Sequence, residues 1–246
     1  MSPIVRKRIL ISILLVLGML FVIKFSGPKL LQLYIRSGMG DCKELPIICM
    51  APALEMDNPY FPKDKLEDFT SFKFKNIELS LPKGFLVVRG FIKKHFYKKK
   101  KVPEGEQTIY LLYQKPDFFI ELFPFVKKQG VLNDHEFVRR TMSARTQEIN
   151  DLTDTFFVVM KGVFTPYLGD ERDLVMLKIR MGNKRCFLNY NLGPQANYYD
   201  CTIIDDNKDF FKIYIKDTKK ILSLEDVLAV ISTVRKPLIN PGPEIT

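Results

Sequence analysis

The chain has 246 residues and a formal charge of +10, with 46% apolar residues, 12% aromatics and ordinary amounts of Gly and Pro. These values exclude a collagen-like or disordered polymer and leave room for one large domain or two small ones. The positive charge would suit a polyanion only if it covered a face. It gathers instead in one segment, Lys93, Lys94, Lys98, Lys99, Lys100 and Lys101 around His95, Phe96 and Tyr97, and the rest is scattered among acids. That pattern predicts one basic loop and no nucleic-acid partner.

At the N-terminus Arg6, Lys7 and Arg8 precede an uncharged run from Ile9 to Ile23, closed by Lys24, Phe25, Ser26, Gly27 and Pro28. With the Lys24 stem snorkelling, the apolar stretch extends over residues 9–25 and reaches the lower limit of roughly 17 residues for a membrane helix. No small-residue cleavage box follows, so the run reads as an uncleaved signal anchor. The tight basic cluster before it places the N-terminus on the cytoplasmic side and the main domain outside. Residues 1–29 are thus the stub and anchor. Residues 30–70, punctuated by Pro46, Pro52, Pro59 and Pro62, read as a stalk or an extended wrap-around segment.

The folded domain is expected over residues 71–236, and its Ser71–Arg235 stretch of about 165 residues is long enough to bury roughly 70% of its unfolded surface. Period-two alternation begins with Phe72, Phe74, Ile77, Leu79 and Leu81 and ends at the turn of Pro82, Lys83 and Gly84. Further strands are predicted over 85–91, 108–113, 118–123, 155–160, 174–181, 186–190, 197–204 and 210–215. In the strand over 174–181, Val175, Leu177, Ile179 and Met181 should face the core while Met176, Lys178 and Arg180 face a wetter side; Phe211, Ile213 and Ile215 alternate with Lys212 and Lys216 in the same way. Two helices interrupt the strands. Asn133 and Glu136 start one that runs to about Ile149. Ser223 caps the second, in which Leu224, Val227, Leu228, Ile231 and Val234 keep the spacing of a helix packed on a sheet. Residues 237–246, with Pro237, Pro241 and Pro243, read as a disordered tail.

The cysteines form two local pairs, Cys42 with Cys49 and Cys186 with Cys201. Folding the second pair's hairpin about Gly193 and Pro194 sets Cys186 directly opposite Cys201, at a separation of about 4.5–5.5 Å that a disulfide tolerates. Oxidised pairs belong to an extracytoplasmic address, the same one the anchor specifies. For Cys42 and Cys49 no hairpin supports the pairing, and free thiols are the alternative there. No C-x-x-C occurs and the two histidines, His95 and His135, are remote from the cysteines, so neither a metal nor any other cofactor is expected.

No glycine-rich phosphate loop is present. His135 reads as a surface helix residue, and Asp205, Asp206 and Asp209 as a solvated hairpin turn without the pattern of a calcium loop. No catalytic residue can be nominated. A run of strands, a helix, a meander and a closing helix predict an α+β domain: an antiparallel sheet covered by two helices, behind a transmembrane helix. The passage from Phe210–Ile215 into the helix from Ser223 to Arg235 resembles, in order of elements, the PsbP-like domains. That resemblance covers about Ser71 to Arg235 and implies an accessory role near a membrane. The expected function is a tethered, non-catalytic module that contacts an envelope protein or an anionic polymer through the lysine segment or a sheet edge. An envelope hydrolase or transferase working through carboxylates is the alternative.

Overall fold

The computed structural model describes residues 27, 29–30, 32–35 and 42–236, except for 44, 61–62, 75–76, 84–86, 90–94, 103–104, 166–167 and 169–172. The apolar run over 9–23 and the C-terminal tail lie outside the described residues. Among those described, no helix is long and apolar enough to cross a membrane.

The strands are β1 (Leu54–Asp57), β2 (Phe69–Phe74), β3 (Ile77–Pro82), β4 (Val87–Arg89), β5 (His95–Val102), β6 (Gly105–Gln114), β7 (Val175–Met181), β8 (Lys184–Leu192), β9 (Asn197–Asp205) and β10 (Phe210–Asp217). Eight of them form one sheet in the order β1-β7-β8-β9-β10-β6-β5-β4, and β2 pairs with β3 in a separate hairpin. The sheet is mixed, which corrects the antiparallel expectation: β1 runs parallel to β7, with Leu54 beside Leu177 and Asp57 beside Arg180. A parallel neighbour needs a long crossover. Here β1 comes from the segment preceding the domain, whose Pro-rich composition concealed a strand. Asn58 closes the edge, accepting from Gly182 N at 2.9 Å through its side chain and donating its own N–H to Arg180 O at 2.7 Å.

Besides helical residues at 27, 29–30 and 32–35, the α-helices placed among the described residues are α1 (Phe118–Leu122), α2 (Asp134–Ser143), α3 (Leu152–Phe164) and α4 (Leu224–Thr233). Two of them replace predicted strands. Phe118–Phe123 is a short apolar run that periodicity cannot assign. It becomes helical because the buried Asp134 carboxylate accepts from Phe119 N at 3.0 Å and Ile120 N at 3.1 Å, supplying an N-terminal cap from another element. For residues 155–160 the deciding residue is Asp151, whose side chain accepts from Asp154 N and starts α3. The helix predicted from Asn133 starts there but stops at Ser143; Ala144 turns extended and its carbonyl is taken by Lys161 Nζ at 3.0 Å. The closing helix is as expected, with a full capping box between Ser223 and Asp226.

Alternation along the strands divides the sheet into two faces. One carries Ile109, Leu111, Leu177, Ile179, Leu188, Ile203, Phe211 and Ile213 and packs on α4 and the β2–β3 hairpin. Glu78 ties that layer together: its backbone pairs with Arg235 and its carboxylate takes the Arg235 guanidinium through two hydrogen bonds of 3.2 and 3.0 Å. The other face is covered by α1, α2 and α3, where Phe187, Ile204 and Phe210 meet a cluster of Phe119, Phe137 and Phe157. Beside it, Met176, Ala196 and Tyr198 meet Ile35, Ile47 and Ile48. The segment before the domain is therefore packed as a wrap-around strap, with Ile47 and Ile48 fully buried in a 3₁₀ turn, Pro46–Cys49. Three layers result, with helices on both sides of the sheet.

Candidate functional site

Both predicted disulfides are present. Cys186 and Cys201 are each 1% exposed, on the α4 side of the sheet, with Cα atoms 6.5 Å apart. Their register differs from the expectation: Cys186 pairs with Ile203, and Cys201 with Leu188. The β8–β9 hairpin folds one residue later than Gly193-Pro194, between Leu192 and Asn197, so the bond is diagonal on one face. Cys42 and Cys49, Cα atoms 5.6 Å apart, close a small loop at the strap. Thr146 Oγ1 lies 2.8 Å from Cys49 Sγ and 3.8 Å from Cys42 Sγ.

The lysine segment is a strand where a loop was predicted. Lys98, Lys99, Lys100 and Lys101 lie on β5, at register positions opposite Ile109, Thr108, Gln107 and Glu106; Lys93 and Lys94 lie outside the described residues. Pairing with β6 along the whole strand, and with β4 over residues 96–98, overrides the charge pattern. His135 is half-buried at the start of α2, 3.4 Å from Arg185 Nη1, and burial with that arginine's charge holds its pKa below the ordinary value. The acidic turn is less solvated than expected. Asp205 Oδ1 accepts from Asp209 N at 3.0 Å, and Asp209, 1% exposed, accepts from the Tyr113 hydroxyl at 2.7 Å. Lys184, opposite Asp205, donates to Ile231 O and Ser232 O at the end of α4. Its desolvation lowers its pKa to about 8.

Two clusters were not singled out in the sequence. The first centres on Lys161, fully buried on α3, whose amine donates to Ala144 O and to Met50 O of the strap. Desolvation, aided by the charge of Arg145, lowers its pKa to about 7. Its signal was a single charge inside the apolar run Phe156-Phe157-Val158-Val159-Met160-Lys161, which the strand assignment hid. Nearby, Arg140, Ser143, Arg145, Glu148, Asp154 and Phe157 line a cleft of about 180 Å³. Its arginines are matched internally, Arg140 with Asp154 at 3.6 Å and Arg145 with Glu148, and Arg140 also stacks over Phe157 at 4.8 Å. An anionic ligand there would have to displace these partners.

The second cluster lies on the helix-covered face of β8, β9 and β10. Asp200 and Asn189 are fully buried and Thr202 nearly so, while Lys212 keeps 13% of its side chain exposed. Asp200 Oδ2 accepts from Lys212 Nζ at 3.0 Å and Asn189 Nδ2 at 3.4 Å, and Lys212 Nζ also reaches Asp200 Oδ1 at 2.8 Å and Thr202 Oγ1 at 3.3 Å. Burial raises the Asp200 pKa and the Lys212 charge opposes it. Alternation placed Lys212 on the wetter side of its strand; that side is where helices pack, so the polar residues are internal and mutually bonded. Among the described residues, no group of three or more His, Cys, Asp or Glu is placed to hold a metal ion.

No family model matches the chain, and no curated protein does. Among solved structures, a crystal structure of a protein from Bacteroides thetaiotaomicron matches with a TM-score of 0.32 and 8% identity, over 66% of this chain and 45% of that one. The chain thus spans less than half of that protein, and the likeness assigns neither a fold family nor an activity.

Proposed function

We propose that this chain is a membrane-tethered extracytoplasmic binding module, anchored by residues 9–25 with its N-terminus in the cytoplasm. The observation that carries this reading is the pair of disulfides, Cys42–Cys49 and Cys186–Cys201, which use every cysteine of the chain. Thiols remain reduced in an ordinary cytoplasm, so two structural disulfides favour a periplasm, a cell surface or a secretory lumen. The anchor-like run before the domain supplies the route to such a compartment.

An envelope protein or an anionic polymer is the partner class that the lysine segment suits, because each lysine near an anionic surface adds about 1 kcal/mol. Replacement of Lys93, Lys94 and Lys98 to Lys101 by Gln should weaken binding to vesicles rich in anionic lipid and abolish its salt dependence. Binding that is unchanged would remove the polyanion from the reading.

The tether and the address are tested together by labelling intact cells with a membrane-impermeant thiol reagent. Cys42 and Cys49 are only partly buried, so they should react after reduction and not before. Labelling that needs cell lysis, and needs no reductant, would place the domain in the cytoplasm and refute the proposal.

A further inference from the structure

The cluster on β8, β9 and β10 brings an amine and a carboxamide to the same carboxyl oxygen. Lys212 Nζ and Asn189 Nδ2 both lie on Asp200 Oδ2, at 3.0 and 3.4 Å. We propose that Lys212 and Asn189 are joined by an intramolecular isopeptide bond, formed with Asp200 as the catalytic acid and base.

The surroundings favour this chemistry. By the period of the strands, Phe187 precedes Asn189 and Phe210 precedes Lys212 on the same face, and both rings are buried. An ion pair desolvated in this way is weakened relative to its neutral form, in which the ammonium has passed a proton to the carboxylate. Burial pushes the Asp200 carboxyl in that direction. Proton exchange between Lys212 and Asp200 leaves a nucleophilic amine and a carboxylic acid in contact. A lysine amine becomes a nucleophile only when uncharged.

The reaction balances without an oxidant or any second reactant. The Lys212 amine adds to Asn189 Cγ while the Asp200 carboxyl gives its proton to Asn189 Oδ1. That oxygen has no hydrogen-bond partner among the described residues, so it can receive one. The Asp200 carboxylate then removes a proton from the new C–N nitrogen and delivers it to Nδ2. The Cγ–Nδ2 bond breaks as the Oδ1 proton returns to the Asp200 carboxylate and the carbonyl re-forms, and ammonia leaves past Lys212, which keeps 13% of its side chain exposed. One amine and one primary amide become one secondary amide and ammonia, and Asp200 is regenerated. The bond would span β9 and lock β8 to β10. The Cys186–Cys201 disulfide already joins β8 to β9 on the opposite face, so the three central strands would be stapled from both sides.

Tryptic mapping of the full chain, after reduction and alkylation, reads the bond directly. Residues 186–208 carry Asn189 and Asp200, and an acylated Lys212 resists cleavage and leaves 209–216 as one unit. The expected product is 186–208 joined to 209–216, lighter than the sum of the two by about 17 Da, the mass of ammonia. Separate peptides cleaved after Lys212 would overturn the proposal. A joined product lighter by about 18 Da, the mass of water, would make Asp200 the acyl donor and overturn the assignment of Asn189. In Asp200→Ala, with both disulfides retained as evidence of folding, the joined product should disappear; its persistence would remove Asp200 from the mechanism. If that variant does not fold, the map of the native chain decides alone.

Discussion

Lys161→Met tests how a buried charge holds the strap to the domain. In the unfolded chain the amine titrates at its ordinary value of 10.5, and in the folded domain at about 7. Between those values the unfolded state carries a proton that the folded state lacks, so stability must rise with pH, by about 1.4 kcal/mol per unit. Below pH 7 both states are protonated and the desolvation cost is borne in full; above 10.5 neither is, and the cost is gone. The gap of 3.5 units corresponds to about 5 kcal/mol, of which about 4 falls between pH 7 and pH 10. Methionine has no proton to lose, and it leaves Met50 O and Ala144 O without their donor at every pH. Urea unfolding of the native chain and the variant at pH 7, 8, 9 and 10 should therefore show the native chain gaining about 4 kcal/mol relative to the variant. Lys184 titrates in the same window, but it is common to both proteins and cancels in the difference. Parallel pH profiles would refute the reasoning and show that Lys161 stays charged, held by its two carbonyls.

Replacing Cys186 and Cys201 together with Ala should cost about 3 kcal/mol in denaturant unfolding, because the 15-residue separation sets the loop entropy. The same change at Cys42 and Cys49, with a separation of 7, should cost about 2 kcal/mol and loosen the strap first, measured as faster amide exchange at Ile47 and Ile48. Equal protection of those amides in both variants would refute the local role of the Cys42–Cys49 bond. Asp134→Ala removes the acceptor for Phe119 N and Ile120 N and should cost about 2–4 kcal/mol, with Asp134→Asn recovering part of it. A loss under about 0.5 kcal/mol would mean that α1 does not depend on that cap.

The sequence by itself determined the elements whose signals are local. Alternation identified β3, β7 and β10, the capping residues Asn133 and Ser223 identified the starts of α2 and α4, and the pairing of cysteines anticipated both disulfides. Each signal is carried by residues close together in the chain, so the local physics and the final fold agree. Tertiary structure decided the rest. α1 exists because Asp134, 15 residues from Phe119, caps it, and α2 ends early where Lys161 claims the Ala144 carbonyl. β1 became a sheet edge only by meeting β7 across more than a hundred residues. The lysines of β5 form a strand because backbone pairing with β6, joined at Lys98 by β4, outweighs a pattern that, alone, reads as loop. The candidate sites follow the same rule. Asn189, Asp200 and Lys212 lie on separate strands; alternation puts Lys212 on a wetter face, and no local signal marks the other two. Only the folded sheet and the layer packed on that face bury them and join the three into one hydrogen-bonded cluster.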